Sequence, residues 1–279
     1  MSLQNKVRGL KEVWQFDNRL WLTVTKAFFP HERLHIYRYK GLEILSDHAA
    51  GDENGAREVL TSPMYRRFFP EMKFGGAAIN VLDLGANNGG FPLLLQTVGI
   101  KLKKVVSVEL NPKTFVRLRF NLERNLPCEV IALNAALCGE NGLLEVALGE
   151  GGVSDSIYDN DAGKNGTQVY KIQGLTFDQF CETYFAEEVI DICKIDVEGA
   201  EFDVFLQPSH LMLRQCRYLI MEIHERGGRR ADEILPAVER LGLVHQPTPA
   251  DADQSVHFFV NSQFDSAMKS SLDRTSNPY

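Results

Sequence analysis

Three acids and one histidine in this sequence stand where an apolar run gives way to a turn, the place where open α/β sheets hold their ligands. Asp83 closes Asn80-Val81-Leu82 just ahead of a glycine turn, Gly85-Ala86-Asn87-Asn88-Gly89-Gly90. Glu109, 26 residues further on, closes Val105-Val106-Ser107-Val108, and Asp196 closes Ile192-Cys193-Lys194-Ile195. His224 follows Ile220-Met221-Glu222-Ile223. Gly85 and Gly89 reach backbone angles a side chain would forbid, so a ligand can lie against the main chain. The restart Phe91-Pro92-Leu93-Leu94-Leu95 reads as a helix. Its first turn offers free N–H donors and a positive dipole end to a carboxylate or phosphate, and Pro92 suits that turn. An acid at the tip of a second strand can accept hydrogen bonds from both hydroxyls of a ribose, the role expected of Glu109. An imidazole of ordinary pKa is suited to take a proton near neutrality, so His224 and Asp196 form the expected catalytic pair.

These residues need a frame that brings their strand ends together. From residue 80 onward, apolar strand-like runs alternate with helical stretches, which predicts a doubly wound parallel sheet. Asn111-Pro112 opens a helix running to about residue 124, with Asn111 as its cap. Residues 129–134 form the third strand, and Asn134 at its end is either a turn residue or an amide reaching the adenine or ribose. Further strands are expected at 142–148 and 169–172, a helix capped by Thr176 at 176–187, and a final hairpin from 243–247 and 255–261. Before the sheet, Val13, Trp14, Phe16, Leu20, Trp21, Val24 and Phe28 fall on helical spacing, and residues 34–45 read as a hairpin. We expect residues 1–75 to cap the site, 76–262 to form the ligand-binding domain and 263–279 to be a polar tail. Tyr65, in the cap, counts among the cofactor-side candidates, and the polar loop at 150–168 is the expected lid.

Composition narrows the function. Apolar residues make up 44% and charged residues 24%, ordinary for a globular protein. A formal charge of −7 argues against a long nucleic-acid backbone as partner. No run approaches the roughly 18 apolar residues a membrane span needs. No secretory leader pattern is evident, and the five scattered cysteines form no C-x-x-C pair. The expectation is a cytoplasmic protein with reduced thiols and neither nucleic-acid nor membrane partner. The apolar N-terminal stripe packs on its own domain or on a second subunit, which makes a homodimer possible.

The glycine turn fails the G-x-G-x-x-G spacing of dinucleotide folds, because Asn87 fills the middle position. It is similar instead to the D-x-G-x-x-x-G turn of S-adenosylmethionine-dependent methyltransferases. The string Lys194-Ile195-Asp196-Val197-Glu198-Gly199-Ala200-Glu201 resembles the FkbM family of those enzymes. Val81 to Gly89, Glu109-Leu110-Asn111-Pro112, Leu175-Thr176-Phe177-Asp178 and Met221-Glu222-Ile223-His224 agree in order and spacing, so the resemblance covers roughly residues 60–245. It implies a Rossmann-like, mostly parallel seven-stranded sheet with S-adenosyl-L-methionine as cofactor. Asp83, Gly85, Asn87, Gly89, Glu109, Asn134, Asp196 and Tyr65 would be its contacts, with Asp83 on the methionine end. It further implies methylation of a hydroxyl on a small acceptor such as a sugar or secondary metabolite. An N-methyltransferase for protein or nucleic acid, and a non-catalytic cofactor-binding protein, are the competing readings. A divalent metal held by Asp196, Glu198, Glu222 and His224 is a weaker possibility. Arg66, Arg67 and the arginines of residues 226–230 could grip an anionic acceptor.

Overall fold

The computed structural model describes residues 9, 11–29, 31–48, 50, 52, 55–149, 167–206, 210–249 and 252–264. The tail from 265 and nearly all of the expected lid lie outside these residues. Eleven described strands form a two-stranded hairpin and a nine-stranded sheet. The hairpin is β1 (Leu34–Tyr39) and β2 (Leu42–Asp47), preceded by helix α1 (Arg19–Phe28) and followed by α2 (Ala56–Thr61). The sheet then opens with β3 (Ile79–Leu84), α3 (Gly90–Thr97), β4 (Leu102–Glu109), α4 (Pro112–Asn125) and β5 (Glu129–Leu137). It continues with β6 (Gly142–Leu148), β7 (Gln168–Leu175), α5 (Phe177–Tyr184), β8 (Ile190–Ile195), α6 (Glu201–Phe205) and β9 (Cys216–Glu222). Helix α7 (Ala231–Glu239), β10 (Leu243–Gln246) and β11 (Val256–Asn261) complete it.

The strand order is β10-β11-β9-β8-β3-β4-β5-β7-β6. All nine were expected as strands from sequence, β6 and β7 included; the sheet has nine strands where the resemblance implied seven, because the β7–β6 pair joins it beyond β5. Strands β9, β8, β3, β4, β5 and β7 run parallel, β6 and β11 run antiparallel to them, and β10 pairs antiparallel with β11 at the edge. Every residue of β3 is buried, as a central parallel strand covered on both faces requires. From β3 the chain builds outward through β4 and β5, then returns to the other side of β3 for β8 and β9. That reversal leaves a crevice at the strand ends.

The N-terminal elements are packed into the same body. Val13, Phe16, Leu22, Tyr37 and Ile44 share one buried cluster with Phe91, Leu118 and Phe258. Side-chain amides fasten β2 to α4: Asn121 Oδ1 accepts the Leu45 amide at 2.7 Å and Asn125 Oδ1 the Glu43 amide at 2.8 Å. Beneath them, buried Arg117 forms a forked pair with Asp52. Asn111 and Thr176 cap α4 and α5 as expected, accepting from the amides of Lys113 and Gln179. Among the described residues no helix is long and apolar enough to cross a membrane.

Candidate active site

A cavity of about 290 Å³ opens where the carboxyl ends of β3, β4, β5, β8 and β9 meet. Gly85, Ala86 and Asn87 form one wall, Glu109 and Leu110 a second, and Ala135 to Leu137 a third. Asp196, Glu198, Glu222 and His224 lie opposite, and Tyr65, Met64 and Glu58 close over the top. These three residues come from the N-terminal segment.

The glycine turn is held by its own strands. The Gly85 and Ala86 amides donate to the Val108 carbonyl, Asn87 N to Glu109 Oε2 at 2.9 Å, Asn88 N to Asn87 Oδ1, and Gly89 N to the Ala86 carbonyl. All five of these turn donors are used within the chain; the amides expected to be free are those of the helix's first turn, where Gly90 and Phe91 line the cavity. Gly85 has a different reason to be glycine from the one the sequence suggested. Its φ is +75°, and a Cβ would stand 1.6 Å from the Asp196 carbonyl oxygen. The missing side chain lets the ends of β3 and β8 touch.

The floor includes Lys194, whose Nζ donates to the Gly85 carbonyl at 2.7 Å. It lies 3.1 Å from Asp196 and 3.5 Å from Asp83. Burial pulls the ammonium down, but Asp196, Tyr65 and Asp83 outweigh it and hold Lys194 well above its usual range. Burial pushes the fully buried Asp83 carboxyl up to about 6 against the pull of Lys194. Asp83 and Gly89 do not line the cavity; they support residues that do. Asn134 is also placed outside it, its amide donating to the Glu109 and Leu110 carbonyls at 2.9 Å. Tyr65, Gly85, Asn87, Glu109 and Asp196 are the nominated cofactor residues that reach the cavity.

His224 is ringed by acids. Its Nδ1 is 3.1 Å from Glu201 Oε1, and its Nε2 is 3.6 Å from Glu198, 3.7 Å from Glu222 and 3.9 Å from Asp196. Burial lowers the imidazole, but the Glu201 hydrogen bond and the charges of Glu198 and Asp196 win, raising it to about 9. This corrects the ordinary pKa assumed from sequence: the cofactor-free site holds an imidazolium at neutral pH. Burial in turn pushes Glu198 and Glu222 up to about 7. Glu198 holds a left-handed backbone, φ +54°, followed by Gly199 at +102°, a tight turn that brings its carboxylate back over the strand end. Asp196, Glu198 and His224 each offer one ligand atom within 4.8 Å of the others; Glu222 is not in that set.

Sequence reasoning missed Glu201 as a residue of the site. It starts α6 and is fully buried, and its tie to His224 depends on β8 and β9 being neighbours, which local pattern does not reveal. Of the arginines expected to grip an anion, Arg226 donates to the carbonyl of the cavity residue Glu198 at 3.5 Å, while the others are placed elsewhere. Arg66 donates to the Leu60 carbonyl and the Tyr39 hydroxyl, Arg67 to the carbonyls of Asp253 and Val256. Arg229 and Arg230 sit within 4 Å of Asp203 and Asp232.

Residues 83–244, more than half the chain, match the methyltransferase FkbM domain. The chain belongs to the FkbM methyltransferase family. No curated protein matches it. Among solved structures, the FkbM methyltransferase of Methylobacillus flagellatus KT is 13% identical, at a TM-score of 0.43. That likeness covers 71% of this chain and 47% of the other, so this chain spans about half the length of that protein. A methyltransferase of Agrobacterium tumefaciens is 14% identical at 0.42, covering 82% and 70%. Aeropyrum pernix fibrillarin, in complex with natively bound S-adenosyl-L-methionine, is 14% identical at 0.40, covering 83% and 85%. These are distant likenesses of fold. The FkbM enzyme is an S-adenosylmethionine-dependent methyltransferase, and its cavity suits that cofactor in charge. Five carboxylates line it, Glu58, Glu109, Asp196, Glu198 and Glu222, against Lys194 and His224. Such a lining favours a ligand bearing a sulfonium and an ammonium.

Proposed function

We propose that this FkbM methyltransferase transfers a methyl group to a hydroxyl oxygen of a small, uncharged, sugar-like acceptor. The observation that carries the reading is the placement of His224 Nε2 and Asp196 Oδ1 3.9 Å apart on adjoining strand ends, facing one cavity. When bound, S-adenosylmethionine supplies a methyl that is already electrophilic, so the protein's tasks are alignment and removal of the hydroxyl proton. Glu109 would accept the ribose hydroxyls with the lone pairs left over from the Asn87 and Asn111 amides. Gly85, Asn87 and Tyr65, which line the cavity, would flank the cofactor, and Asp83 would act on its methionine end through Lys194. His224 Nε2 takes the acceptor proton while Asp196 orients the hydroxyl. The imidazolium loses its proton more readily once a second positive charge shares the cavity, which brings His224 into its working range. The acid-rich lining favours a neutral acceptor over the anionic one considered from sequence. A cytoplasmic location remains part of this reading.

The test is calorimetry with S-adenosylmethionine followed by methyl transfer to a panel of sugars, hydroxylated metabolites, peptides and RNA. His224→Ala and Asp196→Asn should each retain cofactor binding within a few-fold and lose turnover by about 10²-fold or more, the scale of a lost general base. Unchanged turnover in both ends the assignment of the pair. Transfer to peptide or RNA nitrogen alone shifts the enzyme to N-methylation, and binding without transfer to any acceptor leaves a cofactor-binding protein.

A second reading rests on the ligand atoms of Asp196, Glu198 and His224, with Glu201 holding the far imidazole nitrogen as outer-sphere carboxylates do. A divalent cation there would bind and acidify an acceptor diol. Turnover that survives thorough chelation removes this reading and leaves the metal-free one standing.

A further inference from the structure

Among the described residues, Tyr37, Tyr39, Tyr65 and Tyr218 are the buried tyrosines. Three of them have their hydroxyls met by neighbours. Tyr37 pairs with His48 Nε2 at 2.7 Å, Tyr39 accepts from Arg66 at 3.2 Å, and Tyr218 accepts the Lys73 amide at 2.9 Å. Tyr65 is only 2% exposed and lines the cavity, and its hydroxyl has no hydrogen-bond partner among the described residues. A hydroxyl withdrawn from water without a partner is destabilising, so the group that satisfies this one has to come from the cavity.

Packing holds the ring in place. It meets the Phe91 ring edge-on, with centroids 5.3 Å apart. Phe91 belongs to the first turn of α3, where no side chain caps the helix and the Gly90 and Phe91 amides have no partner among the described residues. Both residues line the cavity, so Tyr65 stands beside the positive end of a helix. Burial pushes the Tyr65 hydroxyl well above its usual range, against the pull of Lys194 and with the help of Asp196, Glu222 and Asp83. It therefore keeps its proton and acts as a donor.

S-adenosylmethionine brings a carboxylate as well as two cations. Five acids in the lining suit the cations and repel the anion. Apart from those acids, the lining side chains able to donate a hydrogen bond are Tyr65, Asn87, Lys194 and His224. Lys194 is committed to the Gly85 carbonyl and to Asp196, and His224 is ringed by four acids. Asn87 stands on the ribose side, its main-chain amide on Glu109. We infer that the Tyr65 hydroxyl, together with the first-turn amides of α3, holds the carboxylate of the cofactor's methionine end. Tyr65 is then a specificity-determining contact and not only a piece of wall. This assignment rests on the cofactor reading above and adds to it the group that the tyrosine recognises.

The test is calorimetry of the full chain and of Tyr65→Phe with S-adenosylmethionine and with its decarboxylated form. Phenylalanine keeps the ring contact and removes only the hydroxyl. Tyr65→Phe should bind S-adenosylmethionine about tenfold more weakly, the scale of a hydrogen bond to a charged group, and the decarboxylated compound within about twofold of the parent. The extra net positive charge of the decarboxylated compound acts on both proteins alike and cancels in this cycle. Without cofactor, Tyr65→Phe should melt no lower than the parent, because its hydroxyl has no partner to lose. Tyr218→Phe, which gives up the Lys73 amide, should melt lower. Equal losses for the two ligands, or no loss for either, overturn the inference and pass the hydroxyl to another part of the cofactor or to the acceptor. A lower Tm for Tyr65→Phe overturns it too, since it would reveal a partner within the chain. A parent that binds neither ligand removes the cofactor reading itself and this assignment with it.

Discussion

Glu201 Oε1 lies 3.1 Å from His224 Nδ1 and accepts the Val197 amide at 3.2 Å. The glutamate is fully buried, and its second oxygen has no hydrogen-bond partner among the described residues. Its carboxylate therefore fixes the ring's orientation and leaves Nε2 facing the cavity. Glu201→Gln keeps the shape and removes the charge. His224 should titrate at lower pH, because the strongest support of its imidazolium is gone. Turnover should fall roughly tenfold to hundredfold while cofactor affinity stays within about twofold, as expected of a residue acting through another. Imidazole resonances followed by NMR over pH, with kcat from initial rates, check this; an unmoved titration removes the positioning role.

The pH profile follows from the same cluster. With His224 at about 9 in the free enzyme, kcat/KM should climb tenfold per pH unit from neutrality and level off near 9. The limb in kcat, which reports the loaded site, should sit lower, because cofactor charge opposes the imidazolium. A limb near 7 in kcat/KM would instead place the proton transfer on Glu198 or Glu222, both pushed up to about 7. Stability carries the same sign. His224's contribution is complete below its ordinary 6.5 and is lost as pH rises through about 9. Glu198 and Glu222, raised above their ordinary 4.5, likewise lose stability as pH rises toward about 7. Scanning calorimetry of cofactor-free protein should show Tm falling from pH 5 to 9, and Glu222→Gln should flatten the lower half of that slope.

Most of the frame was legible because it is written in local pattern. An acid ending an apolar run marked β3, β4 and β8, while Asn111 and Thr176 announced their helices. Contacts between strand ends were not legible in the same way. Asp83 looks like a ligand contact in sequence, and only the register that pairs it with Lys194 across β3 and β8 shows it beneath the floor. Asn134 sits beside Glu109 on the neighbouring strand, and its amide pins that tip in place of reaching the cavity. His224's titration depends on four carboxylates drawn from the ends of β8 and β9 and the start of α6, a sum over neighbours that no single stretch contains.

Lys194 separates two acids that would otherwise share a dry floor, and its side chain is only 5% exposed. Lys194→Met keeps the length of the side chain and leaves Asp83 and Asp196 without their cation. Removing one partner of a buried ionic cluster costs about 3–5 kcal/mol. Urea unfolding should show a loss of that order, with a rise in the apparent pKa of Asp83 that makes the variant relatively more stable at acid pH. The double change Lys194→Met, Asp83→Asn should recover a large part of the loss, since it removes the orphaned charge. A double variant no more stable than the single one contradicts the pairing.

Gly85 is the test of whether the cavity depends on the contact between β3 and β8. An added Cβ meets the Asp196 carbonyl at 1.6 Å, and this oxygen belongs to backbone tied down by the Asp196 amide's bond to the Leu84 carbonyl at 3.0 Å. Neither tip can yield without moving Asp196, Lys194 and the turn together. Gly99 is the control: its φ of +81° is as strained for alanine as Gly85's +75°, but a Cβ there meets nothing within 4 Å. Gly99→Ala should cost only the backbone strain, on the order of 1 kcal/mol, and leave cofactor affinity untouched. Gly85→Ala should cost at least about 2 kcal/mol more and weaken S-adenosylmethionine binding by more than about tenfold, because it adds a clash to the same strain. Thermal unfolding and isothermal calorimetry on the two variants measure both effects. Equal losses in the pair would mean that the strand ends part easily and that the cavity does not rest on their contact.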